Sequence, residues 1–514
     1  MKIIDTASLQ HGEKLSRNTQ DWVYNGLDCC VTLEICNELL SQLDNTSKNT
    51  YEFSKSLQGP ILEMSIRGIK VDKRKKNEVL ANYKKQIEFI SDQLNEIIRD
   101  GIGLNINWRS TTQLKKLFYE VLKLPVQKKR NANGIFGPTV NRDAMEKLEQ
   151  YMLAEPICIR LLTLRDIDKK RMFLETEIDP DGRMRCNFNI AGTNTGRLSS
   201  SMSDFGTGTN LQNVDREERA IFIADEGMKF GNLDLEQADA RNVGAICWNN
   251  FITTFGERFA GVYLSACESG DLHTTTCKLA WPNLAWAGDA KADKIVAEAI
   301  AYRQDSYRQL AKKLGHGTNY YGTPRTMAKH SKVPTKQIEE FQKAYFKGFP
   351  CIPEWHKWVK GELKETGQLT TLFGRRRTFF GRSYEDTTLR EAIAYSPQSM
   401  TADEIDTGLL KLFRAERVQL LVQVHDSILI QYPEEQEDEI IPWAMEQLKI
   451  HLELAKGRPF VVPVDCKVGW NWGEVLYDKK TGKEIGNLDG LVKWKGHDPR
   501  TRSENKRLSL RSLL

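Results

Sequence analysis

Two apolar, β-branched runs on either side of a polar pair constrain the fold of this chain most strongly. The stretch LLVQVHDSILIQY, residues 420–432, places His425 and Asp426 between LLVQV and ILI. This pattern predicts a β-hairpin whose turn carries polar residues, because turns favour residues such as aspartate between two strands. On this stretch alone, the simplest interpretation of Asp426 is a turn residue.

A second stretch repeats this arrangement. GNLDLEQADAR, residues 231–241, predicts a buried strand that ends at Asp234, with Asp239 and Arg241 just beyond. Two carboxylates at the ends of adjacent strands can hold two divalent ions about 3.5 to 4 Å apart, a pair that clamps the attacking and leaving oxygens in phosphoryl transfer. Mg²⁺ suits such a site because it accepts a few carboxylates and keeps its waters. We therefore predict that Asp234 and Asp426 bind metal.

A third stretch, YRQLAKKLGHGTNYYGTP, carries polar residues at helical spacing. Arg308, Lys312, His316 and Tyr320 recur every four residues, so they share a helical stripe about 18 Å long. That length is similar to the length of a nucleoside triphosphate, with cations at one end for the phosphates and an aromatic ring at the other for the base. A solvated basic face would give the same pattern, so the segment alone leaves both interpretations open.

The overall composition excludes some classes of protein. Hydrophobic residues make up 40% and charged residues 28% of the 514 residues, and no apolar run is long enough for a membrane span. The N-terminus has no apolar core followed by a cleavage site, so we expect neither a secretory signal nor a membrane partner. The ten cysteines form no CxxC pair, which favours free thiols.

The basic residues are clustered, although the net charge of +5 is too small by itself to imply a nucleic-acid partner. The clusters are KRKK (73–76), QKKR (127–130), DKKR (168–171) and GRRR (374–377). Each cluster alone is typical of a solvated surface. Together, with aromatic residues beside the last of them, they favour a polyanionic partner.

Hydrophobic periodicity divides the chain into helical and mixed regions. Apolar residues at three- and four-residue spacing predict an amphipathic helix over 77–100, and Ser110 is a plausible N-cap for the next one. Past residue 478 the sequence is polar and interrupted by glycine and proline, which predicts a basic, loosely ordered tail. The other expected regions are a lysine-rich helical unit (71–170), a second helical region (249–360), and a mixed region (367–467) with a helix that begins near Thr401.

In order, and over nearly the whole chain, these motifs resemble those of family A DNA polymerases, the group of bacterial DNA polymerase I and several bacteriophage replicases. DLEQADAR resembles motif A, residues 308–322 resemble motif B, and VHDS resembles motif C. Four further stretches agree with this: TNTGRLSS (193–200), NLQNV (210–214), GDLHTTT (270–276), and GRR followed by PQSMTADEI (397–405). Many ordered matches are more specific than any single one.

The resemblance implies an α+β right-hand fold, with an antiparallel palm sheet, a helical thumb and helical fingers. It also implies a DNA-directed DNA polymerase that extends a primer 3'-hydroxyl with dNTPs by two-metal chemistry with two Mg²⁺ ions. Its partners would be template-primer DNA and dNTPs, and we expect a monomer in the cytoplasm of a bacterial or phage-infected cell. The implied divisions are a segment leading into the palm (49–72), thumb (73–175), palm (176–248), fingers (249–365), palm (366–477) and the basic tail (478–514).

Carried over residue by residue, the resemblance assigns three groups of site residues. The metal ligands would be the carboxylates of Asp234 and Asp426 and the carbonyl of Leu235, and Lys312 would act as a general acid toward pyrophosphate. The dNTP-binding residues would be Gln237, Asp239, His273, Arg308, Lys312, His316 and Tyr320. The DNA-binding residues would be Arg197, Asn210, Gln212, Arg241, Arg376, Gln398 and His425.

The chain departs from the family pattern at several positions. Asp239 replaces the usual glutamate, and a carboxylate there would fill the space that a 2'-hydroxyl needs, so it favours deoxynucleotides. His316 stands where an aromatic residue is usual, and the extra residue in NYYG leaves both Tyr320 and Tyr321 as candidates for base stacking. The register of the stripe favours Tyr320. Ser427 replaces the glutamate that usually ends motif C.

The N-terminal stretch DWVYNGLDCCVTLEI, residues 21–35, resembles the last motif of the family's 3'–5' exonuclease, with Tyr24 and Asp28 at the Tyr-x-x-x-Asp positions. That chemistry also needs an upstream D-x-E strand, and the residues before Tyr24 contain none. We therefore expect residues 1–48 to be the remnant end of an exonuclease domain in a chain that cannot proofread. A bolder hypothesis is that a separate exonuclease polypeptide supplies the rest and docks here.

Two rival functions follow from the same residues. A template-directed RNA polymerase with the same palm is the first, and Asp239 argues against it. A non-catalytic DNA-binding replication factor is the second. The presence of both metal-binding aspartates and of the basic stripe argues against that alternative.

Overall fold

Helices make up most of the computed structural model, which describes residues 16–131, 134–478, 482–500 and 502. The described helices are α1 (Arg17–Gln42), α2 (Asn45–Ser56), α3 (Gln58–Arg67), α4 (Lys73–Ile102), α5 (Thr111–Lys115), α6 (Arg142–Leu148), α7 (Glu155–Glu175), α8 (Ala238–Phe255), α9 (Glu257–Ala260), α10 (Val262–Glu268), α11 (Leu272–Ala280), α12 (Ala290–Ala297), α13 (Tyr307–Asn319), α14 (Pro324–Ser331), α15 (Thr335–Gly348), α16 (Cys351–Glu365), α17 (Asp386–Ala415) and α18 (Glu437–Leu448). None of them is long and apolar enough to cross a membrane.

The strands are short and pair antiparallel. They are β1 (Ile69–Val71), β2 (Lys128–Arg130), β3 (Phe136–Pro138), β4 (Arg183–Met184), β5 (Cys186–Asn189), β6 (Ser199–Met202), β7 (Phe222–Ile223), β8 (Met228–Leu235), β9 (Ile300–Tyr302), β10 (Asp305–Ser306), β11 (Gln368–Thr370), β12 (Arg376–Thr378), β13 (Gln419–Val424), β14 (Ser427–Pro433), β15 (Leu452–Leu454), β16 (Arg458–Phe460), β17 (Val464–Gly469), β18 (Leu476–Tyr477), β19 (Glu484–Gly486) and β20 (Val492–Lys493).

A five-stranded sheet in the order β13-β14-β8-β17-β20 forms the centre of the molecule. Its strands are antiparallel, and β13 and β14 are buried along almost their whole length. Strands buried on both faces require continuous apolar runs, and LLVQV and ILI supply them. The hairpin predicted at 420–432 is confirmed, with Val424 paired to Ser427 across a two-residue loop of His425 and Asp426.

The helical region before residue 175 has a hydrophobic core of its own. Helix α4 packs against α7, and the cluster between them includes Leu94, Phe118, Leu148 and Leu161, all of which are fully buried. A separate core is expected of a unit that can move as a body. The predicted helix over 77–100 lies within α4, and the hydroxyl of Ser110 caps α5 by accepting from the backbone N–H of Gln113.

Helix α17 begins fifteen residues before the predicted start near Thr401, since it runs from Asp386 to Ala415. It passes through Pro397, which normally ends or kinks a helix because it lacks an N–H group. This helix is buried between α8, α16 and α18, and that packing maintains the helical path despite the proline. The prediction from the local sequence was therefore wrong at this helix start.

Residues 482–500 of the predicted tail form strands and pack against the central sheet, while residues 479–481, 501 and 503–514 of that tail lie outside the described residues. Strand β20 pairs with β17 and adds an edge to the central sheet. Asp498 is buried and pairs with the ammonium of Lys229 at 2.9 Å and with Arg500 at 2.7 Å. Polar composition predicted disorder, but buried ion pairs and strand pairing hold this segment against the sheet.

All ten cysteines lie in the described part of the chain and are free thiols, as the sequence predicts. Seven of them are buried, including Cys247, Cys267 and Cys351. Burial raises the pKa of the Cys267 thiol to about 12, so this thiol stays protonated and unreactive at neutral pH. These cysteines contribute to packing.

Three carboxylates on α17 are buried. Asp403 forms a bidentate pair with Arg375, whereas Glu404 accepts one hydrogen bond at 3.0 Å from the amide of Asn242. Neither carboxylate oxygen of Asp406 has a hydrogen-bond partner among the described residues. Burial raises the pKa of Glu404 to about 8 and that of Asp406 well above its usual range. Both groups are therefore held in the neutral form at neutral pH.

The raised pKa of Glu404 predicts a pH-dependent stability. Between pH 4.5 and 8 the folded chain holds a proton that the unfolded chain has released, so this glutamate lowers the free energy of unfolding as pH rises. Glu404→Gln removes the effect and still accepts from Asn242. We expect it to raise the melting temperature at pH 8, relative to wild type, by a few degrees more than at pH 5, since a few kcal/mol are involved.

Differential scanning fluorimetry at the two pH values measures this difference. Glu391→Gln is the matched control, because Glu391 lies exposed on the same helix. A difference between Glu404→Gln and wild type that is the same at both pH values would show that Glu404 is ionised in the folded chain.

Candidate active site

The two predicted metal-binding aspartates lie together at one edge of the central sheet. Asp234 is near the end of β8, directly opposite Ser427 at the start of β14, and Asp426 occupies the hairpin loop just before it. The backbone N–H of Leu235 donates to the carbonyl of Asp426 at 3.0 Å, which fixes the two chain segments against each other. Antiparallel pairing thus delivers both carboxylates to the same place.

Both carboxylates are electrostatically unfavourable without a cation. Burial raises the pKa of Asp234 to about 7, the charge of Asp426 adds to the rise, and the ammonium of Lys467 opposes it. Burial also raises the pKa of Asp426. Neither forms an ion pair with another described residue. Two half-buried carboxylates and a nearby carbonyl are oxygen ligands with unmatched negative charge, so the residues present fit a divalent cation.

These aspartates line a cleft of about 300 Å³ between the sheet, α8, α11 and α13. All the residues that the sequence assigned to metal and dNTP binding line this cleft except Arg308: Asp234, Leu235, Gln237, Asp239, His273, Lys312, His316, Tyr320 and Asp426. The stripe lies on α13, which starts with a capping box in which the side chains of Ser306 and Gln309 bind each other's backbone N–H groups. Tyr320 follows at the C-cap.

Arg308 lies beside the cleft in a pair with Asp271. Its guanidinium donates to both carboxylate oxygens, at 3.1 and 3.2 Å, and the same carboxylate caps the N-terminus of α11. Sequence reasoning missed Asp271, although an aspartate directly before a helix is an N-cap signal. The pair orients Arg308 and neutralises part of its charge.

His273 is neutral at physiological pH. Burial and the nearby charges of Arg308 and Lys312 lower its pKa to about 4. A neutral imidazole donates one hydrogen bond and carries no charge. Its contribution to an anion in the cleft is therefore a directed hydrogen bond, whereas Lys312 is exposed and contributes charge.

Asp239 is the most connected polar group of the cleft. It accepts from the guanidinium of Arg197 at 3.2 Å, from the hydroxyl of Tyr320 at 2.9 Å and from the hydroxyl of Thr401 at 2.8 Å. The ring of Tyr320 also packs edge-on against His316, with centroids 4.6 Å apart. Three separate segments therefore meet at one carboxylate.

The two tyrosines of NYYG point to different surroundings. Tyr320 lines the cleft, while the ring of Tyr321 packs edge-on against His356 with centroids 5.2 Å apart. Tyr321 has φ of 60°, a left-handed conformation that a bulky residue rarely adopts. Of the two candidates, only Tyr320 faces the cleft.

Backbone strain is concentrated around this cleft. Gln237 has φ of 55° at the N-cap of α8, and His425 has φ of 57° in the hairpin loop. Glycine is usual at positive φ in such two-residue loops. Strained conformations persist where the surrounding structure enforces them, and they cluster at functional sites.

A buried amide network supports the hairpin loop. The side-chain amide of Gln212 donates to the backbone carbonyl of Gln423 at 3.1 Å, and the amide of Gln423 donates to the carbonyl of His425. Asn210 donates to the carbonyl of Ser200 at 2.8 Å. Gln212 and Asn210 thus carry structural bonds in this state, and sequence reasoning missed Gln423 because it lies inside an apolar strand.

Arg241, which the resemblance assigns to DNA binding, is packed beside the turn that follows β8. Its side chain is only 6% exposed, and it donates to the backbone carbonyl of Glu236 at 3.0 Å. The first turns of α8 are packed into the core, which buries Arg241, and DNA binding by this residue stays a prediction. The residue stabilises the turn that follows β8.

Of the other predicted DNA-binding residues, Arg197, Arg376, Gln398 and His425 are at least partly accessible, whereas Gln212 is buried. His425 and Arg376 are exposed, and Arg376 pairs with Asp44 at 2.5 Å. Gln398 is half-buried and hydrogen-bonds the hydroxyl of Tyr320. Arg375, which the sequence analysis did not single out, binds Asp403 and fixes the basic turn against α17.

One other cluster of possible metal ligands lies at the start of α18. Glu437, Asp438 and His497 form the single group of three or more such residues found in the described ranges. Glu437 already pairs with the buried ammonium of Lys229 at 2.6 Å. A cation there would compete with a positive charge that the fold provides, so this cluster fits a metal poorly.

Comparison with known proteins identifies what this chain is similar to. The model of DNA polymerase family A matches residues 77–474, which is more than half of the chain. The chain is 25% identical to the thermostable DNA polymerase I of Thermus thermophilus and 26% identical to DNA polymerase I of Geobacillus stearothermophilus, with 84% of this chain covered in each case. It spans 49% and 46% of those relatives, about half of their length.

A solved structure shows the same fold. The POL domain of Pol1 from M. smegmatis, determined in complex with DNA primer-template and dNTP, matches with a TM-score of 0.64 at 23% identity. The match covers 81% of this chain and 69% of that one. The likeness confirms the α+β right-hand fold predicted from the sequence.

Proposed function

The chain belongs to DNA polymerase family A, and from that membership and the geometry of the cleft we propose that it is a DNA-directed DNA polymerase. It would extend a primer 3'-hydroxyl with dNTPs on a DNA template. The observation that carries this proposal is the single cleft that holds Asp234, Asp426, Lys312 and Tyr320. We further propose that it acts as a monomer.

Two Mg²⁺ ions are the cofactors we propose, held by Asp234, Asp426 and the carbonyl of Leu235. When bound, they would neutralise the charge that develops on the reacting phosphate oxygens. The two carboxylates are half-buried and form no ion pair with another described residue, which supports this choice of ligands. Asp438 and its neighbours are not proposed as ligands, because Lys229 already neutralises their buried member.

The chain's own cations would bind and orient the triphosphate. Lys312 and Arg308 would hold the phosphates by charge, and neutral His273 would donate one hydrogen bond to a phosphate oxygen. The Lys312 ammonium would give a proton to the pyrophosphate leaving group. Fixed charges that need no reorganisation during the reaction are the main contribution that a protein makes to phosphoryl transfer.

Around the nascent pair, Tyr320 would stack on the base while Gln237 and His316 line the pocket beside it. Asp239 would close the space next to the sugar C2'. The primer-template duplex would contact Arg197, Asn210, Gln212, Arg376, Gln398 and His425. We place the thumb at 73–175, the fingers at 249–365 and the palm in the remaining segments. The separate hydrophobic core between α4 and α7 supports the placement of the thumb.

Replacing Asp234 tests the proposed catalytic site. Asp234→Asn should lower primer extension with Mg²⁺ and dNTPs by at least ~100-fold, the size of effect seen when one charge-stabilising group is lost. Asp438→Asn is the matched control, because it removes a carboxylate from the alternative cluster. Wild-type activity in Asp234→Asn, together with loss of activity in Asp438→Asn, would show that the catalytic metal ions bind at that cluster instead.

The choice of sugar separates the DNA polymerase from the RNA polymerase alternative. On one primed DNA template, we expect wild type to incorporate dNTPs with kcat/KM roughly 1,000-fold higher than rNTPs, about 4 kcal/mol of discrimination, because the half-buried Asp239 carboxylate would occupy the space that a 2'-hydroxyl needs. Equal incorporation of both nucleotides would favour the RNA polymerase. No incorporation of either, with DNA binding retained, would favour the non-catalytic factor.

We also propose that the described chain does not remove a mismatched 3' end, and that α1 contacts a separate exonuclease polypeptide. Tyr24 and Asp28 are exposed on α1, and no residue of this helix is buried against the described parts of the chain. Trp22 is 80% exposed, and Val31, Leu33 and Ile35 are about half exposed. Several exposed apolar side chains on one helix support a protein contact.

A mismatched primer tests this proposal directly. The pure protein with Mg²⁺ should extend the mismatch slowly and should not shorten it, as followed by gel analysis of a 5'-labelled primer. Efficient 3' shortening by the pure protein would overturn the proposal. Shortening that appears only after a 3'–5' exonuclease polypeptide from the same source is added, and that Trp22→Glu abolishes, would support the contact.

A further inference from the structure

A buried chain of hydrogen bonds lies directly behind Asp239. The hydroxyl of Thr401 donates to Asp239 Oδ1 at 2.8 Å, and the amide Nδ2 of Asn242 donates to Thr401 at 3.2 Å and to Glu404 Oε2 at 3.0 Å. Thr401, Asn242 and Glu404 are each at most 1% exposed. None of these three residues was singled out as a site residue by the sequence.

The hydrogen bonds from Asn242 through Thr401 to Asp239 all run in one direction. Both hydrogens of the Asn242 amide are used, one toward Glu404 and one toward the oxygen of Thr401. The single proton of Thr401 can then go either to Asp239 or to the carbonyl of Pro397, 3.0 Å away. A carboxylate is the stronger acceptor because the hydrogen bond is charge-assisted. The hydroxyl is therefore directed at Asp239.

The other two partners of Asp239 face the cleft. Arg197 and Tyr320 donate to it from segments that we propose contact DNA and the nucleotide, so their bonds can change when substrate binds. Thr401 is enclosed in α17 and cannot follow such a change. Of the three partners of Asp239, Thr401 is the one that lies in the interior and does not line the cleft.

The short side chain of Asp239 makes this anchor necessary. Aspartate is one methylene shorter than the glutamate usual at this position in the resemblance, so its carboxylate reaches less far into the cleft. A carboxylate with two freely rotating torsions excludes a hydroxyl poorly unless it is held. The bond from α17 limits those torsions and fixes the distance between the carboxylate and the cleft.

We propose that Thr401, supported by Asn242, is a positioning residue that sets discrimination against ribonucleotides by holding the carboxylate of Asp239 in place. This inference rests on the proposed polymerase function. Thr401 touches neither substrate nor metal and acts only through Asp239. A purely structural role for Thr401 would lower activity with both nucleotides equally, whereas a positioning role changes their ratio.

The measurement is the ratio of kcat/KM for a dNTP to that for the matching rNTP on one primed template. Thr401→Val keeps the shape and removes the hydroxyl, so the ratio should fall by roughly tenfold, the lower end of what a lost charge-assisted hydrogen bond gives. Thr401→Ser restores the hydroxyl and should keep the ratio within twofold of wild type. Asn242→Leu should give a smaller fall, of roughly threefold, because it removes the support and leaves the hydroxyl.

Thr407→Val is the matched control. Thr407 lies on the same helix and donates to the carbonyl of Asp403 at 2.6 Å, without contact to Asp239. The ratio in this variant should equal that of wild type. If Thr401→Val does not fold, as judged by its melting temperature, Thr401→Ala takes its place with the same expected fall.

The outcomes separate this inference from the proposed function. A wild-type protein that incorporates neither nucleotide overturns the proposed function and this inference with it. Wild-type extension, with a Thr401→Val ratio within twofold of Thr407→Val, overturns the inference alone. A fall of the ratio in Thr401→Val that Thr401→Ser reverses supports it.

Discussion

The repulsion between two half-buried carboxylates at adjacent strand ends is the constraint on which the rest of the structure depends. Asp234 and Asp426 meet because β8 and β14 pair in one register, and a shift by a single residue would turn Asp234 to the other face of the sheet. The fold supports this arrangement with a long apolar hairpin, a strained loop residue and an amide network from Gln212. Sheet stability therefore maintains an unfavourable pair of charges.

Around that pair, the molecule uses buried polar groups to set side-chain positions. Asp239 receives three hydrogen bonds from three segments, and Arg308 receives its orientation from Asp271. Buried polar chains are costly unless every member is paired, and the unpaired oxygens of Glu404 and Asp406 show that α17 bears such a cost. A helix that serves packing alone would bury apolar side chains. The buried polar side chains of α17 beside the cleft are consistent with a role in orienting groups at the site.

Residues whose positions follow from a short stretch of sequence could be predicted, and residues whose positions depend on distant parts of the chain could not. Asp234, Asp426 and the stripe on α13 were predictable because strand ends and four-residue spacing are visible in a short window. The burial of Arg241 was not predictable, since only tertiary packing causes it. Thr401 and Asn242 gave no signal at all, because their partners lie about 160 positions away in the chain, and the order of residues 482–500 depends on Lys229, far upstream.

Strand β20 has a consequence for where the folding unit ends. The family match stops at residue 474, yet β20 covers the outer side of β17 from Lys467 to Val468, and Asp498 neutralises a lysine inside the sheet. A chain cut at the family boundary would leave β17 as an open edge with unsatisfied backbone groups, which is a template for aggregation. It would also bury Lys229 with one fewer counter-charge. The smallest piece that folds well is therefore longer than the piece that carries the recognisable motifs.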